Sequence, residues 1–409
     1  MTSRLAEYEE VVGRDVVQEL LVVADRVRHR RMQHVNSTSV GGGVAEILTR
    51  LLPLLAEVGV AATWDVIKGD QAFFEVTKAI HNALHGKSQP ITPDMWDIYR
   101  ATTETNLGLM DFTGDVIFIH DPQPAGLVEA RDRIGRQWIW RCHIDVSTPD
   151  KEAWDFLKPY VERYDAAIFS MPEFARKLTI PQYLVAPSID PLSDKNRELD
   201  AQTVNETLAR HGIDPERPVL TQISRFDRLK DPLGVLSAYR MVKKRHDCQL
   251  VLAGGGASDD PEGAEVLREV IERVGDDRDV HVIPLPPLSD LEINALVRGS
   301  TIVFQKSVKE GFGLTVSEAL WKRKAVIGGA VGGIKIQILN GVTGYLVHSP
   351  EGAANRALEL LRNPSLCREM GENGHQHVKQ NFLLTRHMKD YLLLMLALEH
   401  PGEHIVHLT

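Results

Sequence analysis

Val308-Lys309-Glu310-Gly311-Phe312-Gly313-Leu314-Thr315-Val316-Ser317-Glu318-Ala319-Leu320 is the stretch on which the reading of this chain turns. It follows Ser300-Thr301-Ile302-Val303-Phe304-Gln305, an apolar, β-branched run that reads as a buried strand. A loop with two glycines comes next, and Leu314 to Lys322 then carries apolar residues at helical spacing. Strand, glycine loop, helix is a geometry that points backbone N–H groups and the positive end of a helix dipole at an anion. Two acids sit in it: Glu310 before the glycines and Glu318 in the helix, eight residues on. Ionised carboxylates only accept hydrogen bonds, and adjacent sugar hydroxyls donate them in pairs. Phosphate recognition flanked by hydroxyl recognition points to a sugar nucleotide. The plainer alternative is an ordinary strand-to-helix turn with two solvated acids.

Working outward, the second half repeats the strand-to-helix pattern. Val219 to Ile223 reads as a strand running into Ser224-Arg225-Phe226-Asp227-Arg228-Leu229-Lys230-Asp231-Pro232, a tight turn before a helix from Leu233. An Arg fork and a Lys point charge there suit a diphosphate, although a solvated basic turn would look the same. Cys248 to Ala253 reads as a strand closed by Gly254-Gly255-Gly256, which lacks the spacing of a dinucleotide fingerprint. Val280 to Leu285 is a short strand, and Ser289 is placed to cap the helix that follows. Ala325 to Gly328 and Thr343 to Val347 read as strands, with Gly332-Gly333 opening a helix between them. Helices from Pro350, Pro364 and Thr385 finish the chain.

The first half alternates in the same way. Residues 4 to 30 form a charged helical preface, a candidate packing or dimer element. Arg31 to Asn36 is the first strand, and Gly41-Gly42-Gly43 removes every Cβ at the turn into an amphipathic helix, as a ligand-approach loop requires. Strands follow at Ala61–Ile67, Asp115–Ile119, Gln137–Cys142, Tyr164–Ser170 and Gln182–Ala186, with helices over Gln71–His85 and from Asp94. Two of these strands end in a His and an acid: His120-Asp121-Pro122-Gln123-Pro124 and His143-Ile144-Asp145. In an open α/β sheet ligands sit beyond the carboxyl ends of strands, which makes these residues a candidate binding wall. Asp121 capping a helix after Pro122 is the bland alternative. Turn residues between 187 and 217 mark a hinge between two parallel-sheet domains, expected over 1–200 and 201–384.

Composition limits the classes. With 409 residues, 43% hydrophobic and 25% charged, the chain is expected to be a two-domain cytoplasmic globular protein. A net charge of -9 argues against general affinity for nucleic acid or an anionic membrane surface, and no apolar run reaches spanning length. Cys142, Cys248 and Cys367 are scattered and odd in number, so they suit a reducing compartment and not a disulfide frame or a zinc site.

Ser224-Arg225 with Lys230, Glu310-Gly311-Phe312-Gly313-Leu314 with Glu318, and Gly332-Gly333-Ile334 stand in the order and spacing of the retaining glycosyltransferases of family four, which the second half resembles. With His34 to Thr38, Gly41 to Glu46, His120 to Pro124 and Arg141 to Asp145, the resemblance extends over nearly the whole chain and narrows to the trehalose-forming members. It implies a GT-B fold, two Rossmann-like domains with the active site in their cleft and the last helix crossing back to the first. It implies transfer of glucose from a nucleoside diphosphate glucose, uridine or adenosine, to free glucose, giving trehalose reversibly with the α configuration kept. Gly329 departs from the family pattern, standing where a larger residue is expected.

The resemblance also implies roles. Arg225 and Lys230 would stabilise the leaving diphosphate, and Glu310 with the backbone of Gly311, Phe312, Gly313 and Leu314 would hold the donor sugar. Glu318 would take the ribose hydroxyls, Ile283 and Leu285 would line the base, and Gly42 and Gly43 would close over the phosphates. His120, Asp121, Gln123, His143 and Asp145 are the acceptor-side candidates. No tightly held metal is implied, though magnesium travelling with the donor is compatible; a homodimer is the expected assembly. A same-fold transferase with another acceptor, as in glycogen or sucrose-type synthases, a nucleotide-sugar-binding protein and an epimerase remain alternatives.

Overall fold

The computed structural model describes residues 4–39, 42–87, 90–255, 261–400 and 402. The chain divides into two compact units, one of residues 1–188 with 384–409, the other of Ile189–Leu383. Each is built on six parallel strands. In the first unit these are β1 (Met32–Asn36), β2 (Ala62–Val66), β3 (Val116–His120), β4 (Gln137–Arg141), β5 (Ala166–Phe169) and β6 (Gln182–Leu184), ordered β2-β1-β3-β4-β5-β6. In the second they are β7 (Val219–Ile223), β8 (Gln249–Gly255), β9 (Val280–Leu285), β10 (Ile302–Gln305), β11 (Ala325–Gly329) and β12 (Gly344–Val347), ordered β12-β11-β10-β7-β8-β9.

The strand sequences explain the architecture. Val116-Ile117-Phe118-Ile119 is buried throughout, as are Trp138-Ile139-Trp140 and Ile302-Val303-Phe304. A strand apolar at every position has no face to give to water, so helices must cover both sides of its sheet, the parallel-sheet solution. Helices begin at side-chain caps: Asp70 accepts from Phe73 N at 2.8 Å, Asp150 from Glu152 N and Ala153 N, and Asp200 from Thr203 N. The helix Arg14–Val27 buries Val17, Leu20, Val23, Ala24 and Val27 on one stripe. It belongs to the same unit as the last helix, Leu384–Glu399, whose Lys389 reaches Glu19 at 2.5 Å.

Topology places the ligand-binding ends. In the first sheet the chain runs from β1 outward to β2, then returns to put β3 on the other flank of β1. In the second it runs β7, β8, β9, then returns to lay β10 against β7. Each reversal opens a crevice beyond the strand carboxyl ends, the position where open α/β sheets bind ligands. The loops that follow β7 and β10 carry Arg225 and Lys230 on one side and Glu310 on the other.

The structure departs from expectation at several points. The first unit ends at Ser188, not near 200. Residues 189–200 are tied to the second unit by Lys322 Nζ on Asn196 Oδ1 (2.8 Å) and by Asn294 Nδ2 on the Asp194 and Arg197 carbonyls (2.8 Å each). Ser289 does not cap its helix; its hydroxyl donates back to the Pro286 carbonyl at 2.8 Å. Gly329 is required as glycine, because a Cβ there would meet the Ser307 carbonyl oxygen at 2.2 Å. Helices Lys151–Val161 and Pro261–Val274 complete βα units that patterning did not single out. All three cysteines are buried and unpaired. Among the described residues no helix is long and apolar enough to cross a membrane.

Candidate active site

In the second unit the crevice between β7 and β10 brings together two of the predicted donor residues, Lys230 and Glu310. Lys230 Nζ lies 2.6 Å from Glu310 Oε2, although 80 residues separate them in the chain. The same oxygen accepts from Ser307 Oγ at 3.0 Å and Gln305 Nε2 at 3.3 Å. Glu310 is therefore held by three donors while almost fully buried. Arg225 is different: its side chain is 63% exposed and, among the described residues, is paired with Asp227 at 3.4 Å. One cation is built into the floor and the other is largely exposed to solvent.

Gly311 to Leu314 wraps over this floor. Gly313, at φ +79°, turns the chain into the helix Leu314–Trp321. A Cβ at Gly332 would sit 1.7 Å from the Glu310 carbonyl oxygen, and one at Gly333 would sit 2.5 Å from Phe312 Cα. The glycine pair thus lets its turn press directly on the loop, where Gly333 N–H donates to Gly311 O at 3.1 Å. Phe312 turns its ring inward beside Phe382, and its carbonyl accepts from Gln337. Among the described residues neither Leu314 N–H nor Thr315 N–H has a hydrogen-bond partner. Two free N–H groups at a helix start beside a lysine make an anion cradle.

Glu318 follows one turn along the helix and is 4% exposed. Lys195 Nζ stands 3.7 Å from its Oε1 and 3.9 Å from Asp290. Ile283 and Leu285 are buried on β9, the edge strand, so its outer backbone row has no strand partner and their side chains face the interior. Gly42 and Gly43 open the helix Gly42–Glu57 after β1 in the first unit, with Gly43 exposed; Gly41 and Gly256 lie outside the described residues.

The first unit's crevice holds the acceptor-side candidates, and only some of them can meet a ligand. His120 is 2% exposed, with one ring nitrogen 3.0 Å from His34 Nδ1 and the other 2.9 Å from His143 Nε2. With both nitrogens occupied inside the unit, it is not a wall residue. Asp121 adopts φ 68° and caps nothing: its Oδ1 accepts the His143 backbone N–H at 2.7 Å, tying the end of β3 to the end of β4. Burial pushes its pKa up to about 7, opposed by that N–H and by Arg141. Asp145 is 5% exposed and its Oδ1 takes both the N–H and the hydroxyl of Ser147 (2.9 and 2.5 Å), so that oxygen serves a local turn. Among the described residues, His143 is half-buried with Nδ1 unbonded and Gln123 keeps a buried Oε1 with no partner. His143 Nδ1 is thus left for a sugar, while the Gln123 oxygen is an unspent acceptor closed off from solvent.

Burial holds the pKa of His34 down at about 3 and those of His120, His143 and His387 well below the ordinary value, so all four rings are neutral near pH 7. His34 was legible only as part of a first-strand motif; nothing in the sequence joins it to His120, 86 residues away. Lys195 read as turn chemistry, and Lys306, paired with Asp231 beside Lys230, gave no signal at all. Lys322, with its pKa pulled down to about 7 by burial, also went unmarked.

Comparison with known proteins agrees with this geometry. Residues 34–176 match the family described as trehalose synthase, N-terminal domain, and residues 204–377 match glycosyl transferases group 1. A trehalose synthase of Thermococcus litoralis is 44% identical over 399 residues, covering 96% of this chain and 97% of its own. One from Rubrobacter xylanophilus is 42% identical over 403 residues, covering 96% and 97%. Among solved structures, sucrose-phosphate synthase from Thermosynechococcus elongatus superposes with a TM-score of 0.72 at 18% identity, over 91% of this chain and all of that one. An α,α-trehalose 6-phosphate synthase from Burkholderia multivorans gives 0.71 at 14% identity, over 91% and 100%. With a GT-B fold and trehalose synthase relatives along almost its whole length, the chain belongs to the trehalose synthase family of group 1 glycosyltransferases.

Proposed function

We propose that the protein transfers glucose from a nucleoside diphosphate glucose to free glucose, forming trehalose with the α configuration kept. The observation that carries this reading is the crevice between β7 and β10, where Lys230 is bonded to a buried Glu310 and the unbonded N–H groups of Leu314 and Thr315 open the helix that follows, with Arg225 on the loop after β7. Breaking a sugar–diphosphate bond leaves an oxocarbenium-like carbon and an anionic leaving group. Fixed cations and N–H donors near the leaving oxygens are the largest catalytic term available to such a reaction. Glu318 accepts the ribose hydroxyls, with Lys195 Nζ standing 3.7 Å from its Oε1. The sugar hydroxyls meet backbone along Gly311 to Leu314.

Retention follows from a front-face reaction in which the departing phosphate takes the acceptor's proton. Glu310 is a poor nucleophile, because its Oε2 already accepts from Lys230, Ser307 and Gln305, and this supports the front-face route over a covalent intermediate. On the acceptor side, His143 and Gln123 contact glucose, while His120 and Asp121 hold His143 in place. A donor-borne magnesium ion and a homodimeric assembly remain part of the proposal.

Product analysis tests it: the protein is incubated with uridine or adenosine diphosphate glucose, with and without glucose. Trehalose and free nucleoside diphosphate formed only with glucose support the reading. An epimerised donor without acceptor, or binding without turnover, refutes it. Relatives named trehalose phosphorylase are 28–29% identical, and this chain spans 58% of their length. Release of glucose 1-phosphate from trehalose and inorganic phosphate would move the chain to that reaction.

A further inference from the structure

His34, His120 and His143 stand in line from the interior of the first unit outward, through contacts of 3.0 and 2.9 Å. Each ring is neutral and carries one proton. His120 must then donate through one nitrogen and accept through the other, so both hydrogen bonds run the same way. If they ran inward, the proton of His34 would lie on Nε2. That atom is buried with no partner among the described residues, on a ring stacked against Phe118 (centroids 4.9 Å apart) and near Tyr391. If they run outward, Nε2 is a bare lone pair. A buried N–H without an acceptor is the rarer and costlier defect of the two.

We infer that the three histidines form a one-way relay, His34 Nδ1–H to His120 Nε2 and His120 Nδ1–H to His143 Nε2, which fixes His143 as an Nδ1–H donor. His34 is then a positioning residue that acts on the site without reaching it. The functional half rests on the reading of His143 as a sugar contact. A His143 locked in this form donates to a hydroxyl oxygen and cannot take the acceptor's proton, which leaves that proton to the departing phosphate. Asp121 supports the same geometry by holding the His143 backbone N–H at 2.7 Å. Free imidazole in water favours the Nε2–H form, so three Nδ1–H rings in a row are a state that only this packing selects.

The test is long-range ¹H–¹⁵N correlation on the full chain labelled at histidine, with His143 assigned by substitution. Nδ1–H at His143, His120 and His34 is the expected result; Nε2–H at His143 overturns the relay. His34→Phe removes the first donor and should mix the His143 tautomers, while raising KM for glucose about tenfold with kcat within about threefold. His34→Asn, whose amide can still donate to His120 Nε2, should restore both. Should His34→Phe not fold, the tautomers of the unaltered protein and of His34→Asn still decide. An altered tautomer with unchanged KM for glucose overturns the positioning role. Product analysis of the unaltered protein decides the glucosyl-transfer reading separately.

Discussion

Arg225 and Lys230 share a proposed role but not an environment, and that difference makes a sharp prediction. Arg225 is 63% exposed, with one 3.4 Å contact to Asp227. Removing it leaves no cavity and no buried orphan, so Arg225→Ala should change unfolding free energy by less than about 0.5 kcal/mol. Its effect on turnover should be large. A guanidinium about 4 Å from a phosphate charge, at an effective dielectric constant near 20, is worth about 4 kcal/mol. Losing a preorganised charge stabiliser costs about 10²–10³ in kcat. Lys230 is 18% exposed and bonded to Glu310 at 2.6 Å. Lys230→Met strips one of three donors from a buried carboxylate and should cost about 1–3 kcal/mol of stability as well as a comparable loss of turnover. The assay pairs urea unfolding of the second unit's transition with steady-state release of nucleoside diphosphate. Near-normal kcat in Arg225→Ala removes it from the leaving-group site. Equal stability losses in both variants refute the distinction between an exposed and an embedded cation.

Three further outcomes follow from the geometry. Glu318→Gln should raise donor KM roughly tenfold or more through loss of a charge-assisted hydrogen bond; a 2′,3′-dideoxy donor that suffers equally in parent and variant would discard the ribose assignment. Gly332→Ala places a Cβ 1.7 Å from the Glu310 carbonyl at φ +45°, so we expect a loss of about 3 kcal/mol or more and a collapse of donor affinity, checked by unfolding and calorimetry; native-like stability would contradict the close approach. Asp121, with its pKa raised to about 7, binds a proton when folded that the unfolded chain releases near about 4. This group's contribution is therefore full below about pH 4, declines as pH rises to about 7 and is flat above. The stability difference between parent and Asp121→Asn should shift across that window and nowhere else; a constant difference from pH 4 to 8 contradicts the buried protonated carboxyl.

The second unit was more legible than the first, for a physical reason. Its site is made by loops that directly follow strands, so glycines, acids and bases with known preferences sit at short fixed offsets from apolar runs. Glu310, Gly313 and Glu318 can be read from one thirteen-residue stretch. What patterning could not give was pairing at a distance: the Lys230–Glu310 contact needs β7 and β10 to be neighbours, and that depends on the order of the whole sheet. The donor groups that hold Glu310, Ser307 and Gln305, are unremarkable residues whose meaning appears only when their oxygens and nitrogens converge.

The acceptor side shows the limit of motif reasoning more plainly. A His followed by an acid at a strand end reads the same whether the ring faces ligand or core. His120 and His143 look equivalent in sequence, yet one is buried with both nitrogens occupied and the other keeps Nδ1 unbonded. The difference comes from strand pairing. β3 is flanked by β1 and β4, so the ring at its end is enclosed by His34 from one neighbour and His143 from the other. His143 follows the end of β4, on the loop that Asp121 ties down, and keeps an outer side. His120→Ala should therefore act like loss of His143 alignment, raising KM for glucose about tenfold while donor affinity stays within about twofold. His143→Ala should do the same and more, because it removes the donor itself. Should His120→Ala impair donor binding and leave KM for glucose intact, the histidines of the first unit serve the donor sugar, and glucose must be held through other residues.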